Sequence, residues 1–325
     1  MLNTPVLLIT FNRPDHTKNV IDVLKIVKPK YLYIFQDGDR VENFEDKKKC
    51  SEVRTVLQEI NWDCEMKKFY SETNLGCGKG PSSAISWFFS FIDEGIILED
   101  DCVPIPFFFT FCENMLVKYR GMNQISFIGG TNFINEKYNK NLSYYFSSGH
   151  FGTWGWATWK RTWSKFDYFL NNNSFTDFKK MIRHYYSNYR IREYWFEIFL
   201  NVKKDRLKDT CWDYQFYFST WKDNQLAIIP DQNLVKNIGS DVDATHTFGE
   251  SLFLNRNVKD DFYVISHPGL IKQNKRNDNL LHKRFIQPHN FGLIGLKFLP
   301  FRVNKRIKKL FNFSGSWINL LRKKQ

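Results

Sequence analysis

The sequence predicts an α/β fold in which a mostly parallel sheet is flanked by helices. Strand-length runs alternate with helical stretches four times in the first hundred residues. Three of these runs are almost wholly apolar, as expected for parallel strands that are buried on both faces. Polar residues follow each run directly. Because successive βα units cross over with the same hand, four of them form one parallel sheet.

The first two βα units have clear boundaries in the sequence. A strand is expected over 6–11, and the Asn-Arg-Pro that follows interrupts it. Asp15 is of a residue type that caps helices, and the helix after it carries apolar residues such as Val20 and Leu24 on one face. A second strand over 31–35 ends at Gln-Asp-Gly-Asp, and a helix around Val53 follows.

The third and fourth units are less regular. A weaker strand is expected over 65–70, followed by a glycine-rich segment over 74–81 that is typical of a turn. A helix that carries Ile85 and Phe88 then leads into a strand over 95–98.

The rest of the chain departs from this alternation, and no internal repeat is present in it. The expected elements are a helix over 106–119, a strand over 125–129, a Gly/Trp loop over 150–160, a mainly helical region over 161–225, a strand over 226–229 and a polar loop over 234–247.

Composition restricts the class of protein. Aromatic residues make up 18% of the 325 residues, so extensive disorder is not expected. No run reaches the ~18 apolar residues of a membrane span, and the first residues lack the basic region of a signal peptide. The 6 cysteines form no CxxC pair, which is typical of free thiols in a reducing compartment and signals neither a zinc site nor a disulfide scaffold.

The net charge of +13 is concentrated at one end of the chain. After Asp278 there are 11 basic residues and no acidic one, whereas the preceding residues carry 36 basic and 34 acidic side chains. A nearly balanced body argues against a nucleic-acid partner, because that function favours basic residues spread over a binding face.

The acidic triplet Glu99-Asp100-Asp101 is the strongest chemical signal. It follows an apolar run, so it is expected at the carboxyl end of a buried strand, where open α/β sheets bind ligands. Three adjacent carboxylates repel one another, and a divalent metal with oxygen ligands relieves that repulsion. A solvated acidic turn is the plainer alternative.

The other loops at the same sheet edge bring further candidates. Arg13 follows the first strand, Asp37 the second, and Lys79 lies among glycines after the third. Arg13 and Lys79 are suited to neutralising phosphate. Asp37 can accept a hydrogen bond from a base N–H, although a turn aspartate is the commoner case. The glycine segment lacks the P-loop pattern and does not follow the first strand, so neither common phosphate motif is present.

These motifs together resemble a known enzyme family. The likeness rests on Leu-Ile-Thr-Phe-Asn-Arg-Pro, Gln-Asp-Gly-Asp, Asn-Leu-Gly and Ile-Leu-Glu-Asp-Asp-Cys-Val-Pro after the four strands, with weaker matches at Gly155-Trp156 and Cys-Trp-Asp213-Tyr. The chain resembles GT-A (Rossmann-like) nucleotide-sugar glycosyltransferases, most nearly the inverting N-acetylglucosaminyltransferases of the Golgi and their bacterial relatives. The likeness covers roughly residues 5 to 250.

The resemblance implies roles for the donor-binding residues. Arg13 would contact the diphosphate of a UDP-sugar, and Asp37 would bind the uracil N3–H. Glu99 and Asp100 would face ribose and sugar hydroxyls. Asp101 would ligate Mn²⁺ or Mg²⁺, which a diphosphate also holds.

Asp213 is implied as the general base that takes the acceptor's proton. A divalent ion would stabilise the charge on the leaving diphosphate, which is the part of the reaction that a metal serves. The chain departs from the Golgi enzymes of animals that it resembles at two positions. Asn12 stands where those enzymes have an acid, and a single Asp213 replaces their paired aspartates. For Asp213 the alternative is an aspartate on a helix surface.

Histidine and tryptophan supply further candidates in the second half. By resemblance, His246 would be a second metal ligand, and a loop histidine bonded to backbone is the alternative. Trp156, like Trp154 and Trp159, offers a flat face for a sugar ring, whereas core packing would explain at least two of the three equally well.

The basic end of the chain predicts contact with an anionic membrane. Val303, Ile307, Leu310 and Phe311 share one helical face, and basic residues lie beside it. With the free thiols, this pattern predicts a bacterial cytoplasmic enzyme attached to the inner face of the membrane. A solvated extension, or a helix docked on its own domain, is the alternative.

The predicted organisation is a glycosyltransferase domain over 1–255 and a basic membrane-associating extension over 256–325. Within the domain, 1–130 would bind the nucleotide sugar and 131–255 the acceptor. The predicted function is transfer of a sugar, with N-acetylglucosamine as a candidate, from a UDP-sugar to a cell-surface glycan or lipid-linked oligosaccharide. The alternatives are a sugar-1-phosphate nucleotidyltransferase, which shares the sheet, and a non-enzymatic basic adaptor for membranes or nucleic acid.

Overall fold

A computed structural model describes most of the first 239 residues and a segment near the C-terminus. The described residues are 1–134, 142–149, 152–172, 174–204, 211–239, 258 and 265–286.

The described chain contains ten strands and nine helices. The strands are β1 (Val6–Thr10), β2 (Tyr31–Gln36), β3 (Glu65–Tyr70), β4 (Glu94–Glu99), β5 (Cys102–Pro104), β6 (Ile125–Gly129), β7 (Tyr144–Ser147), β8 (Trp156–Trp159), β9 (Leu226–Pro230) and β10 (Val235–Asn237). The helices are α1 (Pro14–Val27), α2 (Phe44–Val56), α3 (Gly76–Phe91), α4 (Pro106–Tyr119), α5 (Lys160–Trp163), α6 (Phe175–Tyr185), α7 (Tyr189–Lys203), α8 (Asp213–Lys222) and α9 (Lys275–Ile286).

Eight strands form one sheet in the order β3-β2-β1-β4-β8-β6-β9-β7, and β5 pairs with β10 in a separate two-stranded ribbon. The pairs among β1 to β4 are all parallel, as is β6 with β9, whereas β8 and β7 run antiparallel to their neighbours. Six of the eight strands therefore point the same way, and the predicted α/β class with a mostly parallel sheet is confirmed.

Each face of the sheet has its own hydrophobic core because side chains alternate along a strand. Leu7 and Ile9 of β1 belong to the core that α3 and α5 to α8 cover. Val6 and Leu8 belong to the opposite core, which α1, α2 and α4 cover. All five residues of β1 are buried, which is why its sequence is continuously apolar rather than alternating.

Several expectations about local structure are corrected. The glycine-rich segment after β3 is the first turn of α3, which begins at Gly76 and contains Pro81. Asp15 lies in the first turn of α1, and Arg13 occupies the N-cap position. Pro14 at the first helical position explains this boundary, since its fixed φ suits the start of a helix.

Two expected loops contain strands. Residues 156–159 of the Gly/Trp segment form β8, which lies between β4 and β6 with all four residues buried. Part of the polar loop over 234–247 forms β10. Both strands are too short to show a period-2 pattern, and both pair with residues distant in the chain, so local sequence gave no signal for them.

The described part of the extension over 256–325 packs on the preceding domain. Asp278 of α9 accepts hydrogen bonds from the hydroxyl groups of Ser147 (2.5 Å) and Ser148 (2.7 Å). Leu281 and His282 are also buried. Residues 287–325, which include the amphipathic pattern, lie outside the described residues, so the division at residue 255 stays a prediction. Within the described part, no helix combines the length and apolarity needed to cross a bilayer.

Candidate active site

The carboxyl ends of β1, β2 and β4 lie side by side and position the first group of candidate residues. The backbone N–H of Asp37 donates to the carbonyl of Thr10 at 3.0 Å, which ties the end of β2 to the end of β1. The N–H of Phe11 donates to the carboxylate of Asp100 at 3.2 Å, which ties the end of β1 to the turn after β4. The topology thus brings together the loops that carry Arg13, Asp37 and the acidic triplet.

Arg13 contacts the acidic triplet directly. Its Nη1 donates to Oδ2 of Asp101 at 3.1 Å and lies 3.8 Å from Oδ1 of Asp100. The side chains of Arg13 and Asp101 retain 15% and 19% of their exposure, so the pair is accessible to a ligand but shielded from bulk water. This contact gives the Arg13 guanidinium a fixed direction, because it is drawn toward the carboxylates.

Burial and mutual repulsion shape the protonation of the triplet. Burial, reinforced by Asp101, Asp100 and Asp213, raises the pKa of Glu99 to about 8, and Arg13 opposes the rise. Burial also raises the pKa of Asp100 to about 6 against the lowering effect of Arg13. Three carboxyl groups therefore share one nearby guanidinium, and the raised pKa of Glu99 keeps this edge from carrying three full negative charges near neutral pH.

Asp213 lies near the triplet although it comes from the other half of the chain. It is the first residue of α8, and its charge contributes to the raised pKa of Glu99. The side chain of Asp213 is hydrogen-bonded to the hydroxyl of Tyr217, one helical turn further along. Asp213 therefore lies within electrostatic range of the acidic edge, and its side chain is only partly exposed.

The site residue Trp156 is placed in the hydrophobic core, which corrects the expectation of a sugar-stacking role. Its side chain is 0% exposed in β8. Its ring stacks on Phe127 at 5.2 Å and on Trp212 at 5.7 Å between ring centroids. Because Trp212 immediately precedes Asp213, the stacking of Trp156 on Trp212 supports the start of α8.

The two neighbouring tryptophans differ from each other. Trp159 is buried, and the Arg161 guanidinium lies over its ring at 4.2 Å from the centroid. Trp154 is partly exposed and meets Phe133 edge-on. Core packing thus accounts for two of the three tryptophans, and Trp154 is the one that retains an accessible surface.

Asp37 anchors the start of α3. Its Oδ1 accepts from the N–H groups of Leu75 (2.8 Å) and Gly38 (3.0 Å). Its Oδ2 accepts from the N–H of Gly76 (3.0 Å) and from the Asn74 amide (3.2 Å). A carboxylate has about four acceptor positions, and these donors fill them. Burial nevertheless raises the pKa of Asp37, and the backbone donors limit the rise.

Lys79 and Asn12 lie near this edge in different settings. Lys79 is exposed on the first turn of α3 and, among the described residues, forms no ion pair with the triplet. Asn12 is buried, and its amide donates to Asp46 at 2.7 Å. Asp46 also accepts from Nη2 of Arg40 at 2.8 Å. Asn12 therefore ties the end of β1 to α2.

Sequence reasoning missed two residues of this site. Asn237, at the end of β10, donates from its amide to Oδ1 of Asp101 at 3.2 Å. Gly239 approaches so closely that a Cβ there would lie 2.1 Å from Oδ2 of Asp101. Asn237 and Asp101 are 136 positions apart, so no local pattern links them.

The structure describes only some of the residues that were predicted to bind a metal. His246 lies outside the described residues, so its predicted ligand role has no structural test. In the part of the chain that the structure covers, no three His, Cys, Asp or Glu side chains converge as a metal-binding group. The described residues thus provide Asp101, with Asp100 and Glu99 beside it, as an incomplete set of oxygen ligands.

Comparisons with known proteins give distant fold matches and no family. No family model matches the chain, and no curated protein matches it. Apo UDP-glucose pyrophosphorylase matches with a TM-score of 0.35 and 7% identity over 73% of this chain and 93% of that chain. UDP-glucose pyrophosphorylase complexed with UDP-glucose matches with a TM-score of 0.30 and 6% identity, covering 50% of this chain and 78% of the other.

A third match is 4-diphosphocytidyl-2C-methyl-D-erythritol synthase from Anaerococcus prevotii, with a TM-score of 0.30 and 10% identity over 50% of this chain and 74% of that enzyme. Similarities of this size carry no weight in assigning an activity. The functional argument therefore rests on the residues at the sheet edge.

Proposed function

We propose that this protein is a metal-dependent glycosyltransferase that moves a sugar from a UDP-sugar to an acceptor hydroxyl. The observation that carries the proposal is the pairing of Arg13 with Asp101 at 3.1 Å, with Asp213 on the neighbouring helix α8. A cation, a carboxylate suited to a metal and a separate carboxylate suited to a base are the three groups that this transfer needs.

Arg13 is proposed to bind the donor diphosphate. Its guanidinium already lies at the carboxyl edge of the sheet, where ligands of open α/β folds bind, and a guanidinium can bind phosphate through two hydrogen bonds. Lys79, exposed on α3, is proposed as a second and more mobile positive charge for the same group.

Mn²⁺ or Mg²⁺ fits the donor set at Asp101. The triplet supplies hard oxygen ligands with too few cations around them, and Mg²⁺ commonly takes one or two protein carboxylates while substrate phosphates and water complete its shell. Asp101 would hold the ion, His246 is a proposed further ligand, and Glu99 and Asp100 would face donor hydroxyls. When bound, the ion would stabilise the charge on the departing diphosphate.

Asp213 is proposed as the general base. An acceptor hydroxyl loses its proton as it attacks the sugar, and a carboxylate within hydrogen-bond reach can take that proton. The hydrogen bond with Tyr217 fixes the direction of the Asp213 side chain. Direct attack with a single base inverts the configuration at the sugar carbon, so inversion is part of the proposal.

Recognition of uracil by Asp37 involves a carboxylate that already has hydrogen-bond donors. Its carboxylate already accepts two hydrogen bonds from backbone N–H groups at the start of α3. A uracil N3–H would have to share an Asp37 oxygen with one of these donors or displace that donor. Asp37 is therefore proposed to act on the nucleotide through the position of α3, with direct contact as the alternative.

The proposed acceptor is a cell-surface glycan or a lipid-linked oligosaccharide. The basic residues after Asp278 support this choice, since an anionic membrane would bring the enzyme to lipid-linked substrates. A location on the inner face of a bacterial membrane follows from the same reasoning.

A sugar-1-phosphate nucleotidyltransferase is the competing enzyme class. Such enzymes usually have a glycine-rich loop directly after the first strand. In this protein Phe11, Asn12 and Arg13 lead straight into α1 at Pro14 without a glycine. This difference favours the glycosyltransferase.

Thermal unfolding with and without ligands tests the proposal. A ligand that binds only the native state raises its free energy of unfolding, by ~2.7 kcal/mol at 100 times Kd. UDP with Mn²⁺ should therefore raise Tm by about 5 °C, and EDTA should abolish the rise. GDP, CMP and dTDP serve as matched nucleotides.

A turnover assay separates the two enzyme classes. Incubation with UDP-N-acetylglucosamine, UDP-glucose or UDP-galactose should release UDP slowly by hydrolysis. Pyrophosphate release from UTP and a sugar 1-phosphate, with no UDP release from any UDP-sugar, would contradict the glycosyltransferase and support the nucleotidyltransferase.

A further inference from the structure

We propose that Asn237 is a positioning residue that sets the direction of the Asp101 carboxylate. The inference rests on the proposed function, in which Asp101 holds a divalent ion. It adds a residue that no motif in the sequence marks. The ribbon formed by β5 and β10 brings the second half of the chain against the acidic triplet.

The ribbon fixes the backbone on both sides of the contact. In its antiparallel register Asn237 lies opposite Cys102, the residue after Asp101. The N–H of Ile238 donates to the carbonyl of Asp101 at 2.9 Å. Asn237 is 6% exposed, so its amide has little water to bind and must find partners within the protein.

The hydrogen bonds of Asn237 determine which end of its amide faces Asp101. The backbone N–H of Gly239 donates to Oδ1 of Asn237 at 2.9 Å, so that atom is the carbonyl oxygen. The amide nitrogen is then directed at Oδ1 of Asp101 at 3.2 Å. One side chain thus holds the turn at Gly239 and donates to the carboxylate.

The remaining surroundings of Asp101 restrict its carboxylate further. Oδ1 also accepts from Sγ of Cys102 at 3.2 Å, and Oδ2 accepts from Arg13 at 3.1 Å. Gly239 packs directly against Oδ2, since a Cβ at residue 239 would lie 2.1 Å from that oxygen. Asn237 and Cys102 therefore occupy Oδ1, while Arg13 and the Gly239 backbone border Oδ2, so the direction of the whole carboxylate is fixed.

The same turn is tied to the helix that supplies Arg13. His16 of α1 is hydrogen-bonded through Nε2 to the carbonyl of Ile238 at 3.1 Å. The turn over 237–239 is therefore held from two sides, by the triplet and by α1. Because its supports are rigid, the Asp101 carboxylate is oriented before a ligand arrives, which lowers the entropy lost on binding.

Partners that orient a ligating carboxylate typically change metal affinity by ~10–100-fold when they are removed. The test measures Mn²⁺ binding directly, by the loss of the electron paramagnetic resonance signal of free Mn²⁺ during titration into full-length protein saturated with UDP. Asn237→Ala removes the donor and should weaken Mn²⁺ binding by at least about tenfold.

Two further variants make the experiment decisive. Gly239→Ala keeps Asn237 but forces the flexible Asp101 side chain to move, so it should weaken Mn²⁺ binding even where Asn237→Ala folds poorly. Lys236→Ala changes the exposed neighbour on the same strand and should bind Mn²⁺ like wild type. Circular dichroism checks the fold of each variant.

The outcomes distinguish this inference from the proposed function. Weakened binding in folded Asn237→Ala, with Lys236→Ala unchanged, supports the positioning role, and weakened binding in Gly239→Ala takes its place only where Asn237→Ala does not fold. Folded Asn237→Ala within twofold of wild type contradicts the role of Asn237 whatever Gly239→Ala does. Wild-type binding with both variants within twofold of it would overturn the positioning role alone. Failure of wild type to bind Mn²⁺ in the presence of UDP would overturn the proposed function and the inference together.

Discussion

Asp213 shows how a single residue acquires a setting that its sequence position does not reveal. Asp213 is the first residue of α8, and its side chain is hydrogen-bonded to Tyr217. Its charge contributes to the raised pKa of Glu99, which lies 114 positions earlier in the chain. Trp212, just before it, stacks on the buried Trp156. Trp156 and Trp212 therefore pack against one another and hold the start of α8 in place.

Replacement of Asp213 by Asn separates binding from chemistry. Asparagine has nearly the same shape but cannot take a proton, so Asp213→Asn should retain UDP–Mn²⁺ affinity within about threefold while kcat for transfer falls by ~10²–10⁴. Isothermal titration and a UDP-release assay measure the two quantities. Asp223→Asn, at the other end of α8, is the matched control, and turnover near that of wild type in Asp213→Asn would exclude the residue as base.

Asp37 is the opposite case, in which the residue type was recognised but its surroundings were not. The sequence identifies an acid after a strand, and that position is correct. It cannot show that α3 begins at Gly76 and turns its first N–H groups toward the carboxylate. Because helix N-termini carry unpaired donors, a nearby aspartate is readily recruited as a cap. Sequence reasoning therefore locates such residues more securely than it assigns their roles.

At the scale of elements, α9 is held by a buried polar network rather than by an apolar stripe. His282 is 1% exposed, and the contacts of its two ring nitrogens require one neutral tautomer. Nδ1 lies 2.6 Å from the carbonyl of Asp278, which can only accept, so Nδ1 carries the proton. Nε2 then accepts from the indole N–H of Trp195 at 3.0 Å. A second proton on Nε2 would face that N–H and break the contact.

This arrangement predicts that the stabilising contribution of His282 is lost in mild acid. Burial lowers the pKa of His282 below its ordinary 6.5, although the Asp278 carbonyl and charge oppose the shift. Below about pH 6.5 the unfolded chain therefore binds a proton that the native state resists. The contribution of His282 to the free energy of unfolding should be level above that pH and fall as pH drops from 6.5 to 5.5, with a slope of up to ~1.4 kcal/mol per pH unit. Glu99 and Asp100, whose pKa values are raised, act in the opposite direction over the same range, so the contribution of His282 is read from the difference between wild type and His282→Gln.

Urea unfolding at closely spaced pH values measures the effect. His282→Gln cannot titrate, so its free energy of unfolding should be lower than that of wild type at pH 7.5, and this difference should shrink between pH 6.5 and 5.5. His184→Gln, at an exposed position on α6, is the matched control. An unchanged slope in folded His282→Gln would show that other groups cause the acid sensitivity.

The elements that the sequence predicts are those formed by local signals. The four βα units were predicted because three of their strands are compact apolar runs and their helices carry apolar residues at helical spacing. The antiparallel β8 was not, since its residues Trp156 to Trp159 pair with β4 and β6, far away in the chain. The ribbon of β5 and β10 was missed for the same reason, and Asn237 was missed with it.

For the whole molecule, the sheet explains why residues distant in sequence form one site. The parallel strands β1, β2 and β4 bring Arg13, Asp37 and the triplet to a common edge, and this convergence follows from topology that the sequence does predict. The second half contributes Asp213 and Asn237 through α8 and β10, and their approach depends on packing between layers. The grouping of Arg13, Asp37 and the triplet was therefore predictable in outline, and the approach of Asp213 and Asn237 was not.

The charge distribution of the whole chain leads to a prediction about location. Residues 296–325 contain nine basic side chains and no acidic one. The pattern of Val303, Ile307, Leu310 and Phe311 would give a helix an apolar face suited to a bilayer surface. Each basic residue near an anionic membrane contributes ~1 kcal/mol, so these residues can dominate attachment of an otherwise nearly neutral body.

Deletion of residues 296–325 should release the protein from vesicles that contain phosphatidylglycerol while leaving UDP–Mn²⁺ affinity unchanged, because Arg13, Asp101 and Asp213 all precede the deletion. Sedimentation with anionic and with purely zwitterionic vesicles measures attachment. Charge reversal at Lys308 and Lys309 in the full chain should weaken binding to the anionic vesicles alone, since screening and repulsion act on the electrostatic part. If the shortened protein still sediments with anionic vesicles as the full chain does, another surface must bind the membrane, and the tail has to be assigned a different role.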